Sequence, residues 1–161
     1  MVTLASFLCI LFFVYFCVRN PLVALFFLGF HMILDGIDGP FARLTNRANS
    51  AGAFLDMLND HTGLVIVMGS LVFYSLLNLV IGLIYIYLYS LLVIFLVLRN
   101  MLGIHPAFTL RTKHVPYLTY VLWAVTAINI FDKIMIVCII ITLIPLTESL
   151  RALLRFLKDT K

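Results

Sequence analysis

DGIDGPFARLTNRANSAGAFLDMLND, from Asp35 to Asp60, holds four of the chain's seven acidic residues. Both of its flanks are apolar, PLVALFFLGFHMIL before it and HTGLVIVMGSLVFYSLL after it. A charged Asp at the centre of a membrane helix costs about 2.5–3.5 kcal/mol, so four buried and unpaired would cost on the order of 10 kcal/mol. That is comparable to the whole stability of a small domain. The four carboxylates must therefore face one another, water or a cation.

The spacing lets them meet. Asp35 and Asp38 are three apart, Asp56 and Asp60 four apart, and on helices each pair shares a face. The stretch between, LTNRANSAG, is polar and rich in capping residues, with Asn49 or Ser50 placed to cap the second helix. Two antiparallel helices would then offer two carboxylate pairs to one cleft. Carboxylate oxygens suit Mg²⁺ or Mn²⁺. Four like charges without a metal would repel and resist ionising, so a divalent site, with room for two ions, explains them most simply. Gly36, Gly39, Ala42 and Gly52 let backbones or a ligand come close. Arg43 follows at the expected membrane edge, where a guanidinium suits a phosphate or pyrophosphate.

The order Asp35, Asp38, Gly39, Ala42, Arg43, Gly52, Asp56, Asp60 resembles the motif D-x-x-D-G-x-x-A-R-x8-G-x3-D-x3-D of the CDP-alcohol phosphatidyltransferases, with no change of residue type or spacing. The resemblance implies that a CDP-linked donor such as CDP-diacylglycerol is joined to a small alcohol acceptor with release of CMP. It implies metal ligands at Asp35, Asp38, Asp56 and Asp60, two ions of Mg²⁺ or Mn²⁺, and Asp60 as catalytic base. It also implies a CDP site at Asp38, Gly39, Ala42, Arg43 and Gly52, and a homodimer. Members often carry an Asn three residues before a Thr at the start of the first span. Thr3 takes the Thr position, and the Asn would fall before Met1. Either a short segment precedes Met1 or this branch dispenses with the Asn.

Outward from the motif, the chain is 64% hydrophobic and 11% charged, against about 45–50% and about 25% in soluble domains. That composition predicts an all-α, polytopic membrane protein, with residues 1–161 as a single domain. Six apolar spans are expected, over about 2–18, 22–42, 51–77, 79–98, 117–131 and 134–150. No basic region or cleavage site accompanies the first, so it reads as a span and not as a removable signal. Pro21 suits the first turn of the second span. Asn78 and the Asp132–Lys133 pair read as turns, Pro145 as a kink, and RALLRFLKDTK as a basic tail meeting lipid headgroups. Tyr117, Tyr120 and Trp123 read as interface aromatics, and Tyr85, Tyr87 and Tyr89 as packing or lipid contact.

With the motif facing the cytoplasm, Arg43, Arg47, Arg99, Arg111, Lys113, Arg151, Arg155, Lys158 and Lys161 lie inside and only Arg19 and Lys133 outside. That asymmetry obeys the positive-inside rule and puts both termini in the cytoplasm. The net charge of +4 lacks any nucleic-acid recognition motif around it. Cys9, Cys17 and Cys138 sit in apolar runs and read as buried thiols. Arg111, Lys113 and His114 suit a phosphate on the acceptor, or serve only to orient their loop. His31 and His61 flank the acidic pairs without matching the motif. Two other classes fit less well. An ion-coupled transporter should carry acids in repeated halves. A silent membrane scaffold would have no need of the intact motif.

Overall fold

Six α-helices follow one another: α1 Val2–Phe16, α2 Pro21–Leu44, α3 Ser50–Phe73, α4 Leu79–Met101, α5 His114–Thr126 and α6 Phe131–Asp159. The structure is a computed structural model and describes residues 2–44, 50–104 and 112–159, with the side chains at 2, 3, 38–44, 50, 51, 53, 56 and 159 outside that description. Among the described residues there is no strand, as the all-α expectation required. Leu79–Met101, at mean hydropathy 2.6, and Phe131–Lys158, at 2.0, are long and apolar enough to cross a bilayer. Leu4–Phe16, Pro21–Ile37 and Met57–Phe73 are apolar but shorter. With 13 residues, α5 is about 20 Å long at 1.5 Å per residue, less than the roughly 30 Å of a hydrocarbon core.

Packing divides the chain into two units, Met1–Leu76 with Tyr120–Asn129, and Leu77–Thr119 with Ile130–Lys161. In the first, Phe27 of α2 stacks on Phe12 and Phe16 of α1, with centroids 4.9 and 5.9 Å apart. Nearer the start of α1, Ser6 reaches His31, further along α2. The two helices are therefore antiparallel. At the far end of α1, the Tyr74 hydroxyl, just past α3, donates to the Val14 carbonyl at 3.2 Å, which sets α3 parallel to α1. Ile10, Phe13, Ala24, Leu28, Leu64, Met68 and Leu71 fill the interior.

Tyr120 completes this core. Its ring meets Phe13 edge-on, and its hydroxyl donates to the Cys17 carbonyl at 2.6 Å. A carbonyl just past a helix end has no intrahelical partner, and a buried tyrosine hydroxyl needs one. Each meets the other's need. Tyr117 is buried as well.

In the second unit α4 and α6 run parallel. At their starts the Asn78 N–H donates to Asp132 Oδ1 at 2.8 Å, and near the end of α4 Arg99 Nη1 donates to Ser149 Oγ at 3.0 Å. Asn78 also caps α4, its Oδ1 accepting from the Val80 N–H at 2.9 Å. Tyr85 and Tyr89 stack in the interior, while Tyr87, two residues from each, points outward. The Thr142 hydroxyl donates to the Cys138 carbonyl at 2.7 Å. Its single proton is thereby committed, so Thr112 donates to Thr142 at 3.1 Å and Tyr85 to Thr112 at 3.2 Å. The three cysteines are free and buried, as expected.

Helix ends depart from the sequence expectation for identifiable reasons. Pro21 does open α2, with Asn20 Oδ1 accepting from the Val23 N–H at 3.3 Å. The third helix stops at Phe73 and not at 77, because Ser75 adopts a left-handed φ of 59°. There the Leu76 N–H reaches the Leu71 carbonyl and the Ser75 N–H that of Val72, a Schellman closure. Gly103, at φ 71°, closes α4 in the same way. The fifth helix begins at His114, ahead of Pro116, because a proline in the first turn forfeits no intrahelical bond. It ends at Thr126, where Ala127 takes φ 57°. Asp132 and Lys133 do not form a turn but lie in the first turn of α6, where an acid complements the helix dipole. The helix then continues through Pro145 and takes in the basic tail as far as Asp159. Thr142, Leu146, Ser149 and Leu153 recur at helical spacing on its buried side, so the tail region is amphipathic.

Ser75 is exposed, so its side chain packs against nothing that a glycine would lose. A left-handed residue with a Cβ costs roughly 1–2 kcal/mol, and glycine's extra entropy takes back roughly 0.5–1 kcal/mol. Ser75→Gly should therefore raise stability by about 0.5–1 kcal/mol. Melting in detergent micelles checks it, and a lower Tm would contradict the closure described.

Candidate active site

The motif occupies two helices of one unit. Asp35, Asp38, Gly39, Ala42 and Arg43 fall in the second half of α2, and Gly52, Asp56 and Asp60 in the first half of α3. Helix continues through both segments, so positions 35 and 38, and positions 56 and 60, are each about one turn apart. The side chains of Asp38, Ala42, Arg43 and Asp56, like Thr3, lie outside the described set, as do Arg47, Asn49 and Arg111 altogether.

A three-helix junction sets the level of the two described carboxylates. His31 on α2 is 1% exposed and hydrogen-bonded through Nδ1 to Ser6 Oγ on α1 at 2.7 Å. Gly63 on α3 closes the junction. A Cβ there would stand 3.5 Å from both Nε2 and Cε1 of His31, and 2.6 Å from Cδ1 of Ile10. From this level Asp35 lies four residues on along α2, about 6 Å, and Asp60 three residues back along α3, about 4.5 Å. The helices are antiparallel, so both steps go toward the same end. Asp35 and Asp60 thus lie at a similar height on the two helices. Asp35 is half-buried with Oδ1 withdrawn from solvent, and Asp60 is half-buried too.

Among the described residues, no three His, Cys, Asp or Glu side chains gather as a metal-binding group. The expected set draws half its members, Asp38 and Asp56, from outside that description. The two acids that are described suit a hard cation by their chemistry. Both are carboxylates, level with each other, and one turns an oxygen inward.

Several polar groups take roles the sequence did not indicate. Lys113 is buried in the second unit, just ahead of α5. Arg99, counted above among the inner basic residues, is buried, with its Nη1 on Ser149. The Ser6–His31 pair was not foreseen either. Its trace in the sequence is a serine in one apolar run and a histidine in another, and nothing in a spacing of 25 joins them.

The motif's aspartates fall on two antiparallel helices of an apolar chain whose described elements are all helices. The family model for CDP-alcohol phosphatidyltransferase matches residues 1–158, and the chain belongs to that family. No curated protein matches the chain. Membership implies transfer of a phosphatidyl group from a CDP-linked donor to an alcohol, in a family that is membrane-associated and generally dependent on divalent metal.

Proposed function

We propose that this chain is a metal-dependent phosphatidyltransferase of phospholipid biosynthesis, taking CDP-diacylglycerol or a related CDP-linked lipid and a small alcohol, and releasing CMP. The observation that carries the reading is the complete motif on two antiparallel helices, with Asp35 and Asp60 level.

In this reading Asp35, Asp38, Asp56 and Asp60 hold two ions of Mg²⁺ or Mn²⁺. Bound there, such ions neutralise the donor's pyrophosphate and the charge that builds on the leaving CMP. Gly39, Ala42 and Gly52 leave room for the cytidine nucleotide, alongside Asp38, and Arg43 pairs with its phosphates. Asp60 accepts the hydroxyl proton of the acceptor. The acceptor oxygen forms its bond to the phosphatidyl phosphorus as the bond from that phosphorus to CMP breaks. Arg111 and Lys113 are proposed, on charge alone, as contacts for an acceptor that carries a phosphate.

We read the six helices as six spans of one family domain, with the motif and both termini cytoplasmic and two copies forming a dimer. Three observations support the alternating topology: antiparallel α1 and α2, parallel α1 and α3, and parallel α4 and α6. The nine-to-two charge asymmetry supports the orientation.

An acceptor screen tests the function. Purified protein with CDP-diacylglycerol, Mn²⁺ or Mg²⁺ and a panel of alcohols should yield CMP and one new lipid mass. Chelating the metal should return both to background. Folded, metal-loaded protein that releases no CMP with any acceptor would favour the silent scaffold instead.

A further inference from the structure

We infer that Ser6 and His31 form a positioning pair that fixes where the Asp35 carboxylate stands relative to Asp60. This rests on the metal-dependent reading above. A hydroxyl and an imidazole are costly to bury in an apolar helix junction unless they satisfy each other, and a Leu–Ala pair would pack there without that demand. The pair is therefore a choice of chemistry over simple packing. Nearly all of His31 is withdrawn from solvent, and the 2.7 Å hydrogen bond between Ser6 Oγ and His31 Nδ1 fixes the imidazole's rotation.

The other edge of the ring is directed at α3. Nε2 and Cε1 face the place where Gly63 omits a Cβ, each 3.5 Å from it. His31 thus ties α2 to α1 by a hydrogen bond and to α3 by close contact. His31 and Asp35 are four apart, on one face of α2, and Gly63 is three residues from Asp60. The junction lies about one helical turn from each carboxylate. Turning α2 by one residue rotates its face by about 100° and would carry Asp35 away from Asp60. Groups that orient metal ligands from behind typically change affinity 10–100-fold when removed. Ser6 and His31 reach no reacting atom in this scheme; they act through Asp35.

The test measures Mn²⁺ binding without substrate, from the EPR signal of free Mn²⁺, alongside CMP release as Mn²⁺ is titrated. Ser6→Ala and His31→Leu should weaken Mn²⁺ binding by about 10–100-fold. Both should raise the Mn²⁺ needed for half-maximal CMP release by the same factor, with kcat recovering at saturating metal. His31→Asn, whose amide can still bond Ser6, should restore most of the affinity. A purely packing role predicts the reverse order, with His31→Leu tolerated and His31→Asn harmful. Folded Ser6→Ala and His31→Leu with parental Mn²⁺ affinity would overturn the pair. Ser6→Ala removes one oxygen and carries the test should His31→Leu fail to fold. If the parent chain itself neither binds Mn²⁺ nor releases CMP, the functional reading fails and the pair falls with it. Parental binding with unaffected variants removes the pair alone.

Discussion

Asp60→Asn should lower CMP release by about 10²–10⁴-fold, the range for loss of a general base. Asn keeps the shape of Asp but carries no charge and takes no proton. Asp60 lies half-buried near the level of the α1–α2–α3 junction, where helix geometry holds its position and the amide can occupy the same space. The fold should therefore survive. If the four aspartates share one site as proposed, removing one negative charge relieves repulsion in the absence of metal, so the metal-free Tm should rise. With metal, the stabilisation that comes from binding the folded state should shrink. The two shifts have opposite sign, which separates this outcome from general damage. Turnover of the variant within about tenfold of the parent would remove Asp60 as base.

The motif was legible because helices have a fixed period. Spacings of three and four place acids on one face whatever lies elsewhere, and helix does run through both segments. The start of α2 was legible for the same reason, since Asn20 and Pro21 act within one turn. Features set by distant partners were not. Nothing near Tyr120 in sequence shows that its ring is interior; the acceptor for its hydroxyl is Cys17, 103 residues away. Asp132 reads as a turn residue until the Asn78 N–H is found on its carboxylate. Arg99 stands at the end of an apolar run, as a flanking charge would, and only Ser149 on a parallel helix shows why it is interior. The end of α3 was missed because Ser75 takes a conformation that glycine usually signals. Local chemistry announces itself in sequence, and tertiary satisfaction of a polar group does not.

Gly63 and Ile10 should show strong coupling. Gly63→Ala puts a Cβ 2.6 Å from Ile10 Cδ1, closer than carbon atoms pack. Cδ1 ends a flexible side chain, but Ile10 is wholly buried, so its shift presses on packed neighbours. The helices must then part or the side chain must leave its rotamer, and overpacking of this kind costs about 1–3 kcal/mol. Ile10→Val deletes the obstructing methyl and costs about 0.5–1.5 kcal/mol alone. In the double variant the new methyl occupies the space the old one left, so the double should be more stable than the sum of the singles by about 1 kcal/mol or more. Activity should follow the same order. Gly63 is three residues from Asp60 and His31 four from Asp35, so parting α3 from the other helices misplaces a carboxylate. Gly63→Ala should lose CMP release out of proportion to its loss of stability, and adding Ile10→Val should return most of it. Additive stabilities, or activity that stays lost when stability returns, would mean that the contact of α1 with α3 does not set the carboxylates' level.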